Sequence, residues 1–202
     1  CLNFLSALCI RGDGAYRGGG GHQTGTTIVF DLPAIPTDPL LAAIGIKGSS
    51  VLRIENLTIE IAPTSFVRDG VWISTVDGAS TTAIQFQNVR FRWCDVAVKT
   101  LANNNNSELA FYDCDFTENK VGFQSLWGQA LVQKFVGCIG GGNAGPDADN
   151  DFQAMETMFD LFGGGNITVI GFGGKNIATF LKAGPGGGNI GLRLAKSLES
   201  RY

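Results

Sequence analysis

Phe86-Gln87-Asn88-Val89-Arg90-Phe91 is the stretch on which the fold turns. Apolar residues at 86, 89 and 91 are separated by polar spacers and by a small polar pivot, Asn88. The same phrase occurs as Ile54-Glu55-Asn56-Leu57-Thr58-Ile59 and as Phe111-Tyr112-Asp113-Cys114-Asp115-Phe116. Weaker copies are Phe135-Val136-Gly137-Cys138-Ile139-Gly140 and Val169-Ile170-Gly171-Phe172. The pivots fall at 56, 88, 113, 137 and 171, in steps of 32, 25, 24 and 34. A repeat of this length marks units that cannot bury their own apolar face and must stack on their neighbours. The expected fold is therefore an all-β solenoid, a parallel β-helix with about three strands in each coil.

Working outward from the phrase, each full repeat divides into three short strands. In the best-formed unit Ile84 and Phe86 point inward, Asn88 turns the chain, and Val89 and Phe91 point inward again. A second corner at Trp93 to Asp95 leads to Val96 and Val98, and the next unit repeats this with Leu109, Phe111, Asp113, Cys114, Phe116, the corner Glu118 to Lys120, Val121 and Phe123. Alternation with period two marks half-buried strands. Asn, Asp and Gly at the pivot are the residues that most readily take the left-handed conformation of a sharp corner. Stacking at about 4.8 Å would then build interior ladders, Phe86 on Phe111 on Phe135 and Val89 on Cys114 on Cys138.

Composition agrees with one elongated domain over residues 1–202. Hydrophobic residues make up 44% and charged residues 16%, which excludes a disordered chain. The 29 glycines cluster between strand-like phrases, where tight turns need them. A net charge of −3 gives no reason to expect a nucleic-acid partner, and no apolar run approaches the ~20 residues of a membrane helix. The five cysteines contain no CxxC pair. Cys114 and Cys138 share an inward slot, where a thiol packs as a small hydrophobe. Both ends read as cut from a longer chain, since neither carries a cap or a signal peptide.

Beyond the repeat itself, Ile10-Arg11-Gly12-Asp13-Gly14 followed by Gly25-Thr26-Thr27-Ile28-Val29-Phe30 resembles the first coil of the pectate-lyase-like right-handed parallel β-helix superfamily. Asparagine at the second corner, as at Asn56 and Asn88, is similar to that superfamily too. The resemblance covers nearly the whole chain as a pattern of fold and carries no motif that fixes a reaction. It implies a right-handed coil, and a role among pectin-degrading enzymes, other polysaccharide lyases and hydrolases, or bacteriophage tail spikes. The glycine- and asparagine-rich texture and the absence of a secretory start favour the tail-spike branch. What that branch implies is polysaccharide recognition at a virion or extracellular surface, with a homotrimer as the assembly.

Chemistry in such a fold belongs to outer strand faces and corner loops. Asp113, Asp115 and Glu118, with Asp95 one coil away, form the best carboxylate group for an alternative, glycan-cleaving function. Glycoside hydrolysis needs two carboxyls about 5–9.5 Å apart, and a lyase needs a base beside a stabilising cation. Asp115 is expected to face outward, with Arg90 in its slot one coil before and Ile139 one coil after, so an ion pair competes with catalysis as its role. Trp72, Tyr112 and Trp127, and Arg90, are the candidate sugar-binding side chains; Trp93 is a further outward aromatic. A non-binding scaffold is the third reading. No cofactor is expected. Asp147-Ala148-Asp149-Asn150-Asp151 spaces carboxylates as calcium loops do but lacks the EF-hand glycine and distant glutamate, so a solvated loop is expected there, with Ca²⁺ as the alternative. Arg11-Gly12-Asp13, the Gly18 to Gly21 run and His22 read as loop and turn residues.

Overall fold

The computed structural model describes residues 2–3, 6–14, 25–32, 42–74, 80–101, 106–126, 132–142, 154–163, 166–184 and 191–195. Trp127, His22, Gly18 to Gly21 and the Asp147 to Asp151 run lie outside the described residues. The chain passes through β1 (Leu2–Asn3), β2 (Ser6–Arg11), β3 (Thr26–Phe30), β4 (Ala42–Lys47), β5 (Ser50–Ile61) and β6 (Asp69–Ser74). It continues through β7 (Thr81–Arg92), β8 (Val96–Thr100), β9 (Asn106–Tyr112), β10 (Asp115–Thr117), β11 (Val121–Ser125) and β12 (Val132–Val136). The last strands are β13 (Ile139–Gly141), β14 (Met155–Leu161), β15 (Asn166–Ile170), β16 (Gly173–Lys175), β17 (Ile177–Ala183) and β18 (Gly191–Ala195). No described residue is helical.

These strands form two sheets, and every pairing among them is parallel. A seven-stranded sheet takes β1, β4, β6, β8, β11, β14 and β17 in that order. An eleven-stranded sheet has two limbs, one running β2, β5, β7, β9, β12, β15, β18 and the other β3, β5, β7, β10, β13, β16. The 12-residue strands β5 and β7 belong to both limbs. Here the structure departs from the three-strand parse, because Asn56 and Asn88 turn the chain without interrupting the pairing on either side. Their φ angles of 57° and 50° are left-handed, as are those of Asp113, Gly137 and Gly171 at the later pivots. Asn88 Nδ2 donates to Asn56 Oδ1 at 2.9 Å, so the pivots also bond along the stack.

The core is a set of columns in strict register. Ile10, Ile54, Phe86, Phe111, Phe135 and Val169 are successive partners. The rings of Phe86 and Phe111 are stacked at 5.0 Å and 2°, and those of Phe111 and Phe135 at 4.6 Å and 9°. A second column pairs Phe91 with Phe116 at 5.2 Å, then reaches Gly140 and Gly174. Bulk is supplied by other side chains at that point: a Cβ on Gly140 would lie 2.9 Å from Met158 Sδ, on the seven-stranded sheet, and 2.9 Å from Phe172 Cζ, at the corner before β16. Gly70 is confined in the same way, since a Cβ there would lie 2.6 Å from the Ala97 carbonyl oxygen and 3.1 Å from Cys94 Sγ. Constant interior volume at each level is what close packing demands.

Two features of the corners carry no sequence signature. Ala7, Val51, Ala83 and Glu108 are all left-handed, with φ of 55°, 55°, 53° and 61°, and each directly precedes a residue of the Leu8, Leu52, Ile84, Leu109 column. Such a conformation costs an ordinary L-residue about 1–2 kcal/mol. The other is Asn119, fully buried: its Oδ1 accepts from Cys94 N at 2.9 Å, and its Nδ2 donates to the Phe91 and Phe116 carbonyls at 2.8 and 3.0 Å. It ties the corners of two successive units together.

This packing sets the sign of two stability changes. Phe111→Ala leaves a void between two stacked rings and should cost ~3–5 kcal/mol in urea unfolding. Val51→Gly should stabilise the fold, because Val51 is 57% exposed and little burial is lost. Relief of the left-handed strain, less the backbone entropy of glycine, amounts to a gain of about 0.5–1 kcal/mol. Thermal denaturation of the two variants beside the parent protein checks both signs.

Candidate functional site

The proposed carboxylates lie along the second limb of the eleven-stranded sheet. On its outer side Thr58, Arg90, Asp115 and Ile139 are partners in register, as the pivot spacing predicts. Asp115 is 5% exposed and Arg90 4%. Asp115 Oδ1 accepts from Thr117 N at 2.8 Å and from Thr117 Oγ1 at 2.6 Å, while Oδ2 lies 3.6 Å from Arg90 Nε. Glu118 is equally enclosed. Its Oε2 accepts from Arg90 Nη2 at 3.2 Å and from Arg92 Nε at 2.6 Å. Arg92 then reaches Glu60 Oε2 at 3.3 Å, with its guanidinium 4.1 Å from the centre of the Trp93 ring.

Arg90 thus brings Asp115 and Glu118 together, whereas Asp113 stands exposed at the neighbouring corner. The chain reaches this arrangement because the phrase places Arg90 and Arg92 two and four residues after one pivot, and Asp115 two residues after the next. Buried charges persist only when paired, and this cluster pairs its charges with alternating signs. A general acid or base must exchange its proton with a substrate held within hydrogen-bond reach. Asp115 and Glu118 instead spend their lone pairs on guanidinium, peptide and hydroxyl donors. Asp95 is engaged as well, 2.9 Å from Lys120 Nζ and 3.9 Å from Arg68 Nε.

A second outward row lies on the seven-stranded sheet. Gly45, Trp72, Lys99, Gln124, Asp160 and Lys182 are successive partners in register. They alternate with buried Val71 and Ile73, Val98 and Thr100, Phe123 and Ser125, which fixes their direction. Trp72 Nε1 donates to Asp69 Oδ2 at 2.8 Å, and Lys99 Nζ bonds the same oxygen at 2.7 Å while lying 5.2 Å from the indole centre. Gln124 Nε2 donates to Asp160 Oδ2 at 2.8 Å, and Lys182 Nζ lies 3.6 Å from Asp160 Oδ1. Two residues further along the strands, Leu101, Leu126 and Phe162 form an apolar stripe beside this polar row, each donating its backbone N–H to a carbonyl of the preceding strand, at Ile73, Thr100 and Ser125. Phe162 is 42% exposed.

Of the aromatic candidates, Trp72 opens this row and Tyr112 lies elsewhere, half-buried between Gln87 and Val136 on the first limb of the other sheet. Sequence reasoning misses Lys99, Gln124 and Asp160, because their slots hold a different residue type at each level. Counting outward from the pivots is the signal that could locate them. The interior cysteines offer no nucleophile: burial pushes the Cys94 thiol up, and burial together with the adjacent Cys138 pushes Cys114 up. Among the described residues no group of three or more His, Cys, Asp or Glu side chains could hold a metal ion. No helix among the described residues is long and apolar enough to cross a membrane.

The cluster makes a sharp stability prediction. Glu118→Gln removes the anion shared by Arg90 and Arg92 and should destabilise the protein by ~3–5 kcal/mol, the usual cost of stranding a buried charge. Asp113→Asn, at an exposed corner where asparagine already serves at positions 56 and 88, should change stability by less than ~0.5 kcal/mol. Equilibrium denaturation of both variants reads the contrast.

No family model, no curated protein and no solved structure matches this chain.

Proposed function

We propose that the chain winds as a right-handed parallel β-helix and recognises polysaccharide on its outer face, as a segment of a bacteriophage tail-spike or fibre-type protein. Supporting the winding, each sheet takes its strands in chain order, and every third strand returns to the same ladder over most of the chain. The observation that carries the binding reading is the row Trp72, Lys99, Gln124, Asp160, Lys182. Strand spacing sets these side chains about 4.8 Å apart, a regular rise that suits an extended chain of sugars. An indole offers an apolar face to ring C–H groups. Amide, carboxylate and ammonium groups supply the donors and acceptors that hydroxyls require. Recognition is favoured over cleavage because Asp115 and Glu118 are bound by arginines. Within this reading the protein works at a virion or extracellular surface, and a homotrimer is its assembly.

The test is to titrate the protein with a panel of bacterial capsule and O-antigen polysaccharides, following tryptophan fluorescence and assaying for new reducing ends or unsaturated uronates. Binding of at least one polysaccharide without products is expected. Trp72→Ala and Gln124→Ala should each weaken it about tenfold, equivalent to ~1.4 kcal/mol. Products that disappear in Asp113→Asn would transfer the assignment to a glycan-cleaving enzyme. Absence of binding across the panel would leave the scaffold reading in its place.

A further inference from the structure

Every charge along the row that begins at Trp72 is held by a neighbour of opposite sign. Lys99 Nζ lies 2.7 Å from Asp69 Oδ2, and both side chains are largely shielded from solvent. Lys182 Nζ lies 3.6 Å from Asp160 Oδ1, while Gln124 Nε2 donates to the other oxygen of that carboxylate at 2.8 Å. A polymer lying along the row therefore meets an indole, a cation, an amide, an anion and a cation in turn. No run of one sign occurs.

The balance extends over the whole seven-stranded sheet. Its strands carry three lysines, Lys47, Lys99 and Lys182, against three carboxylates, Asp69, Glu156 and Asp160. The eleven-stranded sheet is different, with seven arginines and lysines against four carboxylates, and Arg53 and Lys134 among those cations are exposed. The cationic surplus of the strands thus lies on the sheet that does not carry Trp72.

We infer that this charge balance makes the polymer of the Trp72 row a neutral polysaccharide, without uronate, sialate or phosphate groups. The inference rests on the row's role in polysaccharide recognition and adds the class of polymer. A lone cation attracts an anion across several ångströms even in water, whereas a cation paired at 2.7 Å presents a dipole whose field fades faster. To hold an acidic sugar, Lys99 would have to release Asp69 and strand a shielded carboxylate. Asp160 would repel the same sugar, and an acidic polymer repeats that conflict at regular intervals. Hydroxyls demand neither change. An ammonium has three donors and a carboxylate about four lone-pair sites, so both can serve hydroxyls while staying paired. Beside the row, the stripe of Leu101, Leu126 and Phe162 carries no charge and offers an apolar surface to the C–H faces of sugar rings.

The test divides the capsule and O-antigen panel into neutral polymers and those bearing uronate, sialate or phosphate. Tryptophan fluorescence then follows binding from about 0.01 to 1 M NaCl, over which the screening length falls from ~30 to ~3 Å. The expected ligand is a neutral polymer whose affinity changes less than about twofold across that range and falls in Trp72→Ala. Asp69→Asn keeps an oxygen for the Trp72 indole and removes the counter-charge of Lys99. It should raise affinity for uronate-bearing polymers at least severalfold, in a manner that salt reverses. Asp160→Asn should do the same through Lys182, which supplies the test should Asp69→Asn fail to fold. A uronate-bearing polymer that the parent protein binds, that salt weakens and that Trp72→Ala loses would overturn the inference and leave polysaccharide recognition standing. Folded variants with no gain for acidic polymers would overturn it too. Absence of binding by every polymer would remove recognition and inference together.

Discussion

In-register stacking of the Ile10, Ile54, Phe86, Phe111, Phe135, Val169 column is the constraint on which the rest of this structure depends. Parallel strands at about 4.8 Å bring identical slots into contact, and flat rings stacked at 4.6 to 5.0 Å fill that spacing without waste. Phe123 and Phe159 meet the same rings edge-on from the seven-stranded sheet, at 5.3 Å and 4.9 Å from Phe135. Both sheets are therefore anchored to one aromatic spine. A one-residue slip in any strand would turn its share of that spine outward, so the column holds register as well as volume.

Stacking like slots carries an electrostatic hazard, since like charges directly opposite on neighbouring strands repel. The outer rows avoid it by alternation. Glu55 lies between Arg11 and Arg53, with its carboxylate bonded to both. Arg90 sits opposite Asp115, and Arg92 joins Glu60 to Glu118. At another corner Asp95 lies between Arg68 and Lys120. Charge alternation and ring stacking favour the same pairing, which is the agreement between levels that makes a sequence specify one fold.

Much of this is legible in the order of the residues alone. The Phe86 to Phe91 phrase shows period-two alternation around a pivot, so its columns and the opposition of Arg90 to Asp115 can be counted directly. All-β architecture with parallel sheets is legible for the same reason. The left-handed corner at Ala7, Val51, Ala83 and Glu108 is not, because those residue types have no preference for it and tertiary packing imposes the conformation. Asn119 has the sequence context of an ordinary corner residue; only its burial reveals a brace. Glu118 reads as a corner carboxylate and a catalytic candidate, since the reach of Arg92 across a strand leaves no trace in spacing. Trp72 is visible as an outward aromatic, yet its companions Lys99, Gln124 and Asp160 are hidden because the slot holds a different residue type at each level.

The contrast between interior and exterior slots bears on how such a surface can acquire a ligand. Interior positions are bound by volume: where Phe116 gives way to Gly140, Met158 and Phe172 must supply the missing bulk from elsewhere. Exterior positions obey only spacing and charge balance. Side chains such as Lys99, Gln124 and Asp160 can therefore change type without disturbing Val98, Phe123 or Phe159 beneath them. Spacing along the row is meanwhile fixed by the backbone ladder, which those outward side chains do not build. A surface made this way holds the distance between its side chains constant while leaving their chemistry open, and it is on this division of roles that the proposed binding role of the row beginning at Trp72 rests.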